Sequence, residues 1–365
     1  MNLNPMTRIV GKVVIFSCLS ITMILGSNLY AKESGDEVDD RLMQILKRFP
    51  EADANGDGVL TRQEAAAFFQ QRRNNMNIQN KNPLPTPTHA NVKYGDHELQ
   101  AFDIWIVDPK EKSAATPLCI FIHGGGFRGG DKSRIQGAII QRFLDNGISF
   151  VSMNYRLTDG GKYPYPAAMH DCVRGLQLIR SRATEWKIDP EKIACYGGSA
   201  GAGISLWIAL HDDLADPESD DPVARQTTRI LAAGTMNGQS TYDIRTFREW
   251  FGVPDLSRDA PLVDFYAMKE GETFDTPRVA KLAEQASPIT HLTKDDPPVF
   301  MFYSRQNSKV TSNTDHATWV HHPLLGLKLQ EAMKKLNLEC VVVAPDIKDT
   351  AYEDIYDFLI KKLSN

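Results

Sequence analysis

Between Cys195 and Gly203 the chain reads CYGGSAGAG, and no other stretch restricts the fold as strongly. An apolar run, IACY, leads into it, and a helical pattern, GISLWIALHDDL, leads out. The small residues Gly197, Gly198, Ala200 and Gly201 allow a turn too sharp for larger side chains, so strand, turn and helix follow one another directly. Ser199 stands at the tip of that turn, beside a helix N-terminus that favours negative charge. G-x-S-x-G in this setting presents a serine hydroxyl as a nucleophile. Such a hydroxyl reacts near neutral pH only when a base lies within hydrogen-bond reach.

From about residue 90 onward, short β-rich runs alternate with helical patterns, which implies βαβ units and a mainly parallel sheet with helices on both faces. The strand candidates are AFDIWIV, LCIFIH, ISFVSMNY, IACYG, ILAAGTM, VFMFYS and ECVVVA. Several are continuous apolar runs, as expected of strands covered on both sides. Residues 238–295, between the fifth and sixth of these in the parallel series, exceed what a crossover needs. Their aromatic stretches FREWFGVPDL and VDFYAMKEG suit either a cap over the C-terminal edge of the sheet or a peripheral insertion. The run FIHGGGF follows a strand at 121–127, and its glycines let backbone N–H groups converge on one point, as an oxyanion requires. Neither G-x-G-x-x-G nor G-K-[ST] is present there, which argues against a phosphate loop.

With G-x-S-x-G and HGGG both at strand ends, and with SMNYRL, YPYPAAMHDCVRGLQLIR and WKIDPEKIACYGGSAGA around them, residues 90–365 read as one domain that, over about 90–362, resembles an α/β-hydrolase of the esterase/lipase group. That group includes hormone-sensitive-lipase-like and acetylxylan- or feruloyl-esterase-like enzymes. The resemblance implies an oxyanion hole from the Gly124, Gly125 and Ala200 amides around Ser199. It also implies a catalytic acid after the strand that follows the insertion, and a histidine after the last strand. Asn307 stands near the first position, and no histidine lies between Cys340 and the C-terminus. Gly198 is a further departure, because hormone-sensitive-lipase relatives commonly carry aspartate there. A substitute base is sought in DHATWVHHPLLGLKL, which emerges at the same sheet edge as Ser199. His321 or His322 would take the serine proton, with Asp315 as the group orienting the ring. The same residues also suit an exposed loop with a helix-capping His-His-Pro. The expected activity is that of a secreted serine esterase on small acyl esters, acetyl or feruloyl groups on polysaccharide among them. The alternatives are a degenerate, non-catalytic hydrolase serving as a calcium-dependent binding module, and an interaction protein that uses the domain as scaffold.

The N-terminal quarter reads differently. Arg8 and Lys12 precede VVIFSCLSITMILG and then SNLYA, the pattern of a signal peptide over 1–31 cut near Ala31; an uncleaved anchor is the other reading. The protein is therefore expected to be exported, periplasmic or extracellular, with no membrane segment in its mature form. Residues 33–73 are helical in pattern around DANGDGVLTRQE. In that loop Asp53, Asn55, Asp57, the Val59 carbonyl, Thr61 and Glu64 occupy positions 1, 3, 5, 7, 9 and 12, with Gly58 at the tight turn. These are the hard oxygen donors that calcium takes, and the segment resembles an EF-hand. No second such loop is visible, so a structural calcium ion is expected in place of a sensor pair, with no organic cofactor. Residues 74–89, rich in Asn and Pro, read as a linker. A formal charge of −5 on 365 residues gives no electrostatic case for nucleic acid. Cys119, Cys195 and Cys340 lie in apolar strand runs, which suits buried thiols better than bridges.

Overall fold

A computed structural model describes residues 42–68 (except 44, 47, 48, 55, 62 and 66), 83–108, 115–256 and 260–365. The stretch read as a signal peptide (1–31), most of the segment read as linker, and Asn55 lie outside the described residues. The chain divides into two units, Met1–Lys81 and Asn82–Asn365.

In the first unit, helical residues at 42, 43, 45 and 46 and at 63–65, 67 and 68 flank the acidic loop. Ala52, Leu60 and Ala65 are buried, with Leu42, Ile45, Leu46, Phe49 and Phe68 packed against them. The Phe49 and Phe68 rings lie 5.6 Å apart. The apolar residues before and after the loop thus close a small core across it.

The second unit is built on eight strands: β1 His89–Lys93, β2 Ala101–Trp105, β3 Thr116–Ile122, β4 Ser149–Met153, β5 Ile188–Gly198, β6 Ala232–Met236, β7 Val299–Phe302 and β8 Cys340–Val343. Their order across the sheet is β1-β2-β4-β3-β5-β6-β7-β8. The β1–β2 and β2–β4 pairs are antiparallel and the others are parallel. All seven strand candidates form strands. β1 is the addition, beginning at the last residue of the segment read as linker; it is an edge strand with no buried residue.

The helices are α1 Gly137–Asp145, α2 Ala167–Ser181, α3 Ala183–Trp186, α4 Ala200–Leu210, α5 Ile244–Phe251, α6 Ala260–Phe265, α7 Pro277–Ala286, α8 His316–Val320, α9 Pro323–Lys335 and α10 Ile355–Ser364. Apolar residues of α2, α4 and α9 pack on one face of the sheet, with Leu176, Ile204 and Leu329 wholly buried. Those of α1 and α10 pack on the other, around Phe143, Phe358 and Leu359. Covering both faces is what makes the central strands continuously apolar: every residue of β4 is buried. Every residue of α4 is buried too, which matches its lack of a polar face. Cys119, Cys172 and Cys195 are buried free thiols, and Cys340 is a partly buried one. Among the described residues no helix is long and apolar enough to cross a membrane.

Because β3, β5, β6 and β7 run parallel, the segments that leave them open at one edge of the sheet. These are HGGGF after β3, Ser199 after β5, Asn237–Gln239 after β6 and the approach to α8 after β7. Chemistry-bearing residues distant in sequence therefore meet at that edge.

Candidate active site

Ser199 adopts φ 51° and ψ −117°, a conformation that L-residues rarely take. Its surroundings enforce it. The Ser199 N–H donates to Met236 O at 2.9 Å, and Gly203 N–H returns to Ser199 O at 3.0 Å to begin α4. Gly201 must be glycine, because a Cβ there would stand 2.1 Å from Ile122 O and 2.6 Å from His123 O. At position 198 a Cβ would meet only Met236, at 3.9 Å or more, so this position is open where 201 is closed. The departure noted at Gly198 therefore leaves the turn itself intact.

The glycine run after β3 comes directly alongside. A Cβ on Gly124 would lie 2.5 Å from Gly198 O and 3.4 Å from Ser199 Cβ, so the loop backbone touches the serine turn. Gly125 turns the chain, its carbonyl accepting from Arg128 and Gly129 N–H at 3.1 and 3.2 Å. His123 supports this loop from beneath. It is buried, stacked on Tyr155 at 4.4 Å, and its Nδ1 donates to Gly124 O at 2.9 Å. Burial lowers its pKa.

The two neighbouring histidines separate into different environments. His321 follows α8, and its Nε2 lies 2.9 Å from Ser199 Oγ. Its Nδ1 lies 3.1 Å from the Ala317 carbonyl. Since a carbonyl only accepts, Nδ1 carries the proton in the neutral ring, and Nε2 offers its lone pair to the serine hydroxyl. His322 is turned the other way. Its Nδ1 accepts from Leu324 N–H at 3.1 Å, capping α9, and its Nε2 donates to Ser308 O at 2.7 Å. It is buried against Phe251 at 5.1 Å, and burial lowers its pKa. The expectation of His322 as the alternative base for Ser199 is thus corrected: it is a helix cap in the opposite tautomer.

Asp315 is corrected too. It caps the N-terminus of α8, accepting from Thr318 N–H at 3.0 Å and from the Thr318 hydroxyl. Among the described residues, the group on His321 Nδ1 is the Ala317 backbone carbonyl, which no side-chain pattern announces. Asn307 donates its backbone N–H to Asp346 at 3.0 Å. Of the other histidines, His170, His211 and His291 gather around Trp207, about two turns along α4 from Ser199.

The 238–295 insertion contacts both sides of this edge. Phe265 of α6 stacks on Phe127 of the glycine loop at 4.2 Å, and Asp264 pairs with Arg128 at 2.9 Å. Phe247 of α5 meets Trp319 of α8 at 5.2 Å. Such contacts suit a cap better than a remote insertion.

In the first unit, the acidic loop is held by hydrogen bonds of its own. Asp53 accepts from Gly56 and Gly58 N–H at 2.8 Å each, and Asp57 from Val59 N–H at 2.8 Å. Glu64 Oε2 accepts from Thr61 N–H at 3.0 Å and Thr61 Oγ1 at 2.7 Å. Among the described residues no group of three or more His, Cys, Asp or Glu side chains is gathered to hold a metal ion.

The BD-FAE family matches residues 102–318, more than half of the chain. The chain belongs to that family. The match includes the glycine loop and Ser199 and stops just before His321. The probable carboxylic ester hydrolase LipM of Mycobacterium tuberculosis is 27% identical over 224 residues, 60% of this chain and 48% of its own length. The arylesterase of Saccharolobus solfataricus is 30% identical over 166 residues, 43% of this chain and 50% of its own. The chain spans about half the length of these curated relatives. Among solved structures, a truncated carbohydrate esterase from gut microbiota aligns with TM-score 0.57 and 18% identity over 78% of this chain and 98% of its own. The acetyl ester-xyloside bifunctional hydrolase of Caldicellulosiruptor lactoaceticus aligns with TM-score 0.53 and 21% identity over 78% and 92%. With the parallel sheet and the strand–serine–helix turn, these likenesses show the α/β-hydrolase fold.

Proposed function

We propose that this BD-FAE member hydrolyses carboxylic esters through an acyl-enzyme on Ser199, with His321 as general base. The observation that carries the proposal is the 2.9 Å contact between Ser199 Oγ and His321 Nε2, in a ring whose Nδ1 is held by Ala317 O. As the hydroxyl attacks the ester carbonyl, His321 takes its proton. The N–H groups of Gly124, Gly125 and Ala200 would stabilise the tetrahedral oxyanion. The imidazolium then gives its proton to the leaving alcohol, and a water activated by the same ring releases the acid. The Nδ1–H of that cation would remain on a carbonyl dipole at the end of a helix, where positive charge is favoured.

The substrate class proposed is a small acyl ester, acetyl or feruloyl groups on polysaccharide included. The structural neighbours named as a carbohydrate esterase and an acetyl ester-xyloside hydrolase support this choice. We also propose that the protein is exported after cleavage near Ala31, and that the acidic loop resembling an EF-hand binds calcium as a structural ion. The donors Asp53, Asn55, Asp57, Val59 O, Thr61 and Glu64 are of the right chemistry. Glu64 would have to turn from Thr61 to the ion, in keeping with the usual coupling of metal binding to local folding.

The test is p-nitrophenyl acetate turnover by the wild type, Ser199→Ala and His321→Ala. Turnover lost in both variants supports the reading. A folded wild type without turnover, or a Ser199→Ala variant that retains it, would defeat it.

A further inference from the structure

His321 leaves a helix of only five residues, His316–Val320. So short a helix does not hold its shape by itself, yet the residue that follows it must deliver the imidazole to within hydrogen-bond distance of Ser199. What ties this end of α8 to the rest of the site is a side chain outside the usual machinery. Gln239 is 4% exposed, and its Nε2 donates to Val320 O at 2.9 Å, the carbonyl of the peptide that joins Val320 to His321. The same Nε2 lies 3.3 Å from Asn237 O, and its Oε1 accepts from Tyr242 Oη at 3.4 Å. Both ends of the amide are therefore assigned by their partners: two carbonyls on the nitrogen, one hydroxyl on the oxygen.

Gln239 stands three residues after Met236, whose carbonyl accepts the Ser199 N–H at 2.9 Å. The segment between them is pinned. Asn237 N–H donates to Phe302 O at 2.7 Å, Asn237 Oδ1 accepts from Ser304 N–H at 2.9 Å, and Gly238 O accepts from Tyr303 Oη at 2.8 Å. One rigid loop after β6 thus holds the nucleophile's backbone at one end and the base's backbone at the other.

We propose that Gln239 is a positioning residue that sets the Ser199–His321 distance through the Val320 carbonyl. This rests on the reading of Ser199 and His321 as nucleophile and base. Gln239 touches neither reacting atom, so its loss leaves binding nearly untouched and slows acylation. A displacement of about 1 Å at a reacting pair costs up to about a hundredfold in rate.

The test compares Gln239→Met, which keeps the length and loses the donor, with Gln239→Glu, which keeps the shape. Purified full-length protein is assayed at 25 °C for p-nitrophenyl acetate kinetics and for the rate of labelling by a fluorophosphonate probe. Gln239→Met is expected to lower kcat and the labelling rate by about tenfold to a hundredfold, with KM within about threefold. In Gln239→Glu a protonated carboxyl can donate to Val320 O and an ionised one cannot. Its kcat relative to wild type should therefore rise as pH falls from 8 to 5, a signature that a merely structural role does not produce. If Gln239→Met fails to fold, this pH ratio carries the test alone. Wild-type kcat in Gln239→Met, or a pH-independent ratio in Gln239→Glu, overturns the proposal while leaving the Ser199 reading in place. A wild type that neither labels nor turns over ester overturns both.

Discussion

Alanine at His321 and alanine at His322 should produce opposite defects, although the two residues are adjacent. His321→Ala removes the only ring placed on Ser199 Oγ among the described contacts, at 2.9 Å. Loss of a general base costs about 10²–10⁴-fold in rate, or about 2.7–5.4 kcal/mol of transition-state stabilisation. His322→Ala leaves that contact in place but removes the cap on Leu324 N–H and the donor to Ser308 O. A lost cap costs about 0.5–2 kcal/mol, and a carbonyl left without its partner about 1–3 kcal/mol. A combined cost of roughly 1.5–5 kcal/mol should lower the thermal midpoint by roughly 3–20 °C. The assay pairs kcat/KM on p-nitrophenyl acetate at 25 °C with calorimetric unfolding. His321→Ala should be catalytically crippled with a midpoint near that of wild type; His322→Ala should be thermally weak with most of its activity. Equal kinetics in the two variants, or the larger kinetic loss in His322→Ala, would refute the division of roles.

Gly201→Ala should not yield stable folded protein, because its Cβ would stand 2.1 Å from Ile122 O, whereas Gly198→Ala should fold, its nearest contact being 3.9 Å away; thermal melts of the pair decide it. Burial lowers the pKa of both His123 and His322, so below about pH 6.5 the unfolded chain takes up protons that the folded chain resists. Their contribution is complete above that pH and declines as pH falls towards the folded values. Urea midpoints should drop between pH 7 and 5, and a flat profile would contradict the assignment. Glu64→Gln should weaken calcium binding by removing a charge and a bidentate ligand; calorimetry without calcium uptake at millimolar concentration, in wild type, would remove the calcium proposal.

Much of the sheet was legible because strands covered on both faces must be apolar throughout, as LCIFIH and ISFVSMNY are. β1, reading HANVK, was missed because an exposed edge strand has neither an apolar run nor an alternating face. The serine turn was legible because close backbone approach excludes side chains, and Gly201 carries that requirement in its identity. The placement of a base among His321 and His322 followed from the sheet edge where their segment emerges. The choice between them did not, since it depends on which ring caps α9. His-Pro at a helix start was the available signal, just as Asp315 with Thr318 three residues on was the signal for a cap on α8. The Ala317 carbonyl could not be read at all, because a backbone oxygen has no letter in the sequence. Gln239 was silent for a related reason: a lone glutamine between β6 and α5 has no pattern, and only its two carbonyl partners give it meaning.

The central claim is that Ser199 is activated by His321, and covalent labelling tests it most directly. Wild-type protein is incubated with a fluorophosphonate and the modified peptide is located by mass spectrometry. One adduct is expected, on Ser199, absent in Ser199→Ala and formed about 10²–10⁴-fold more slowly in His321→Ala. Folded wild-type protein that forms no adduct on Ser199, or labels as fast without His321 as with it, would contradict the account.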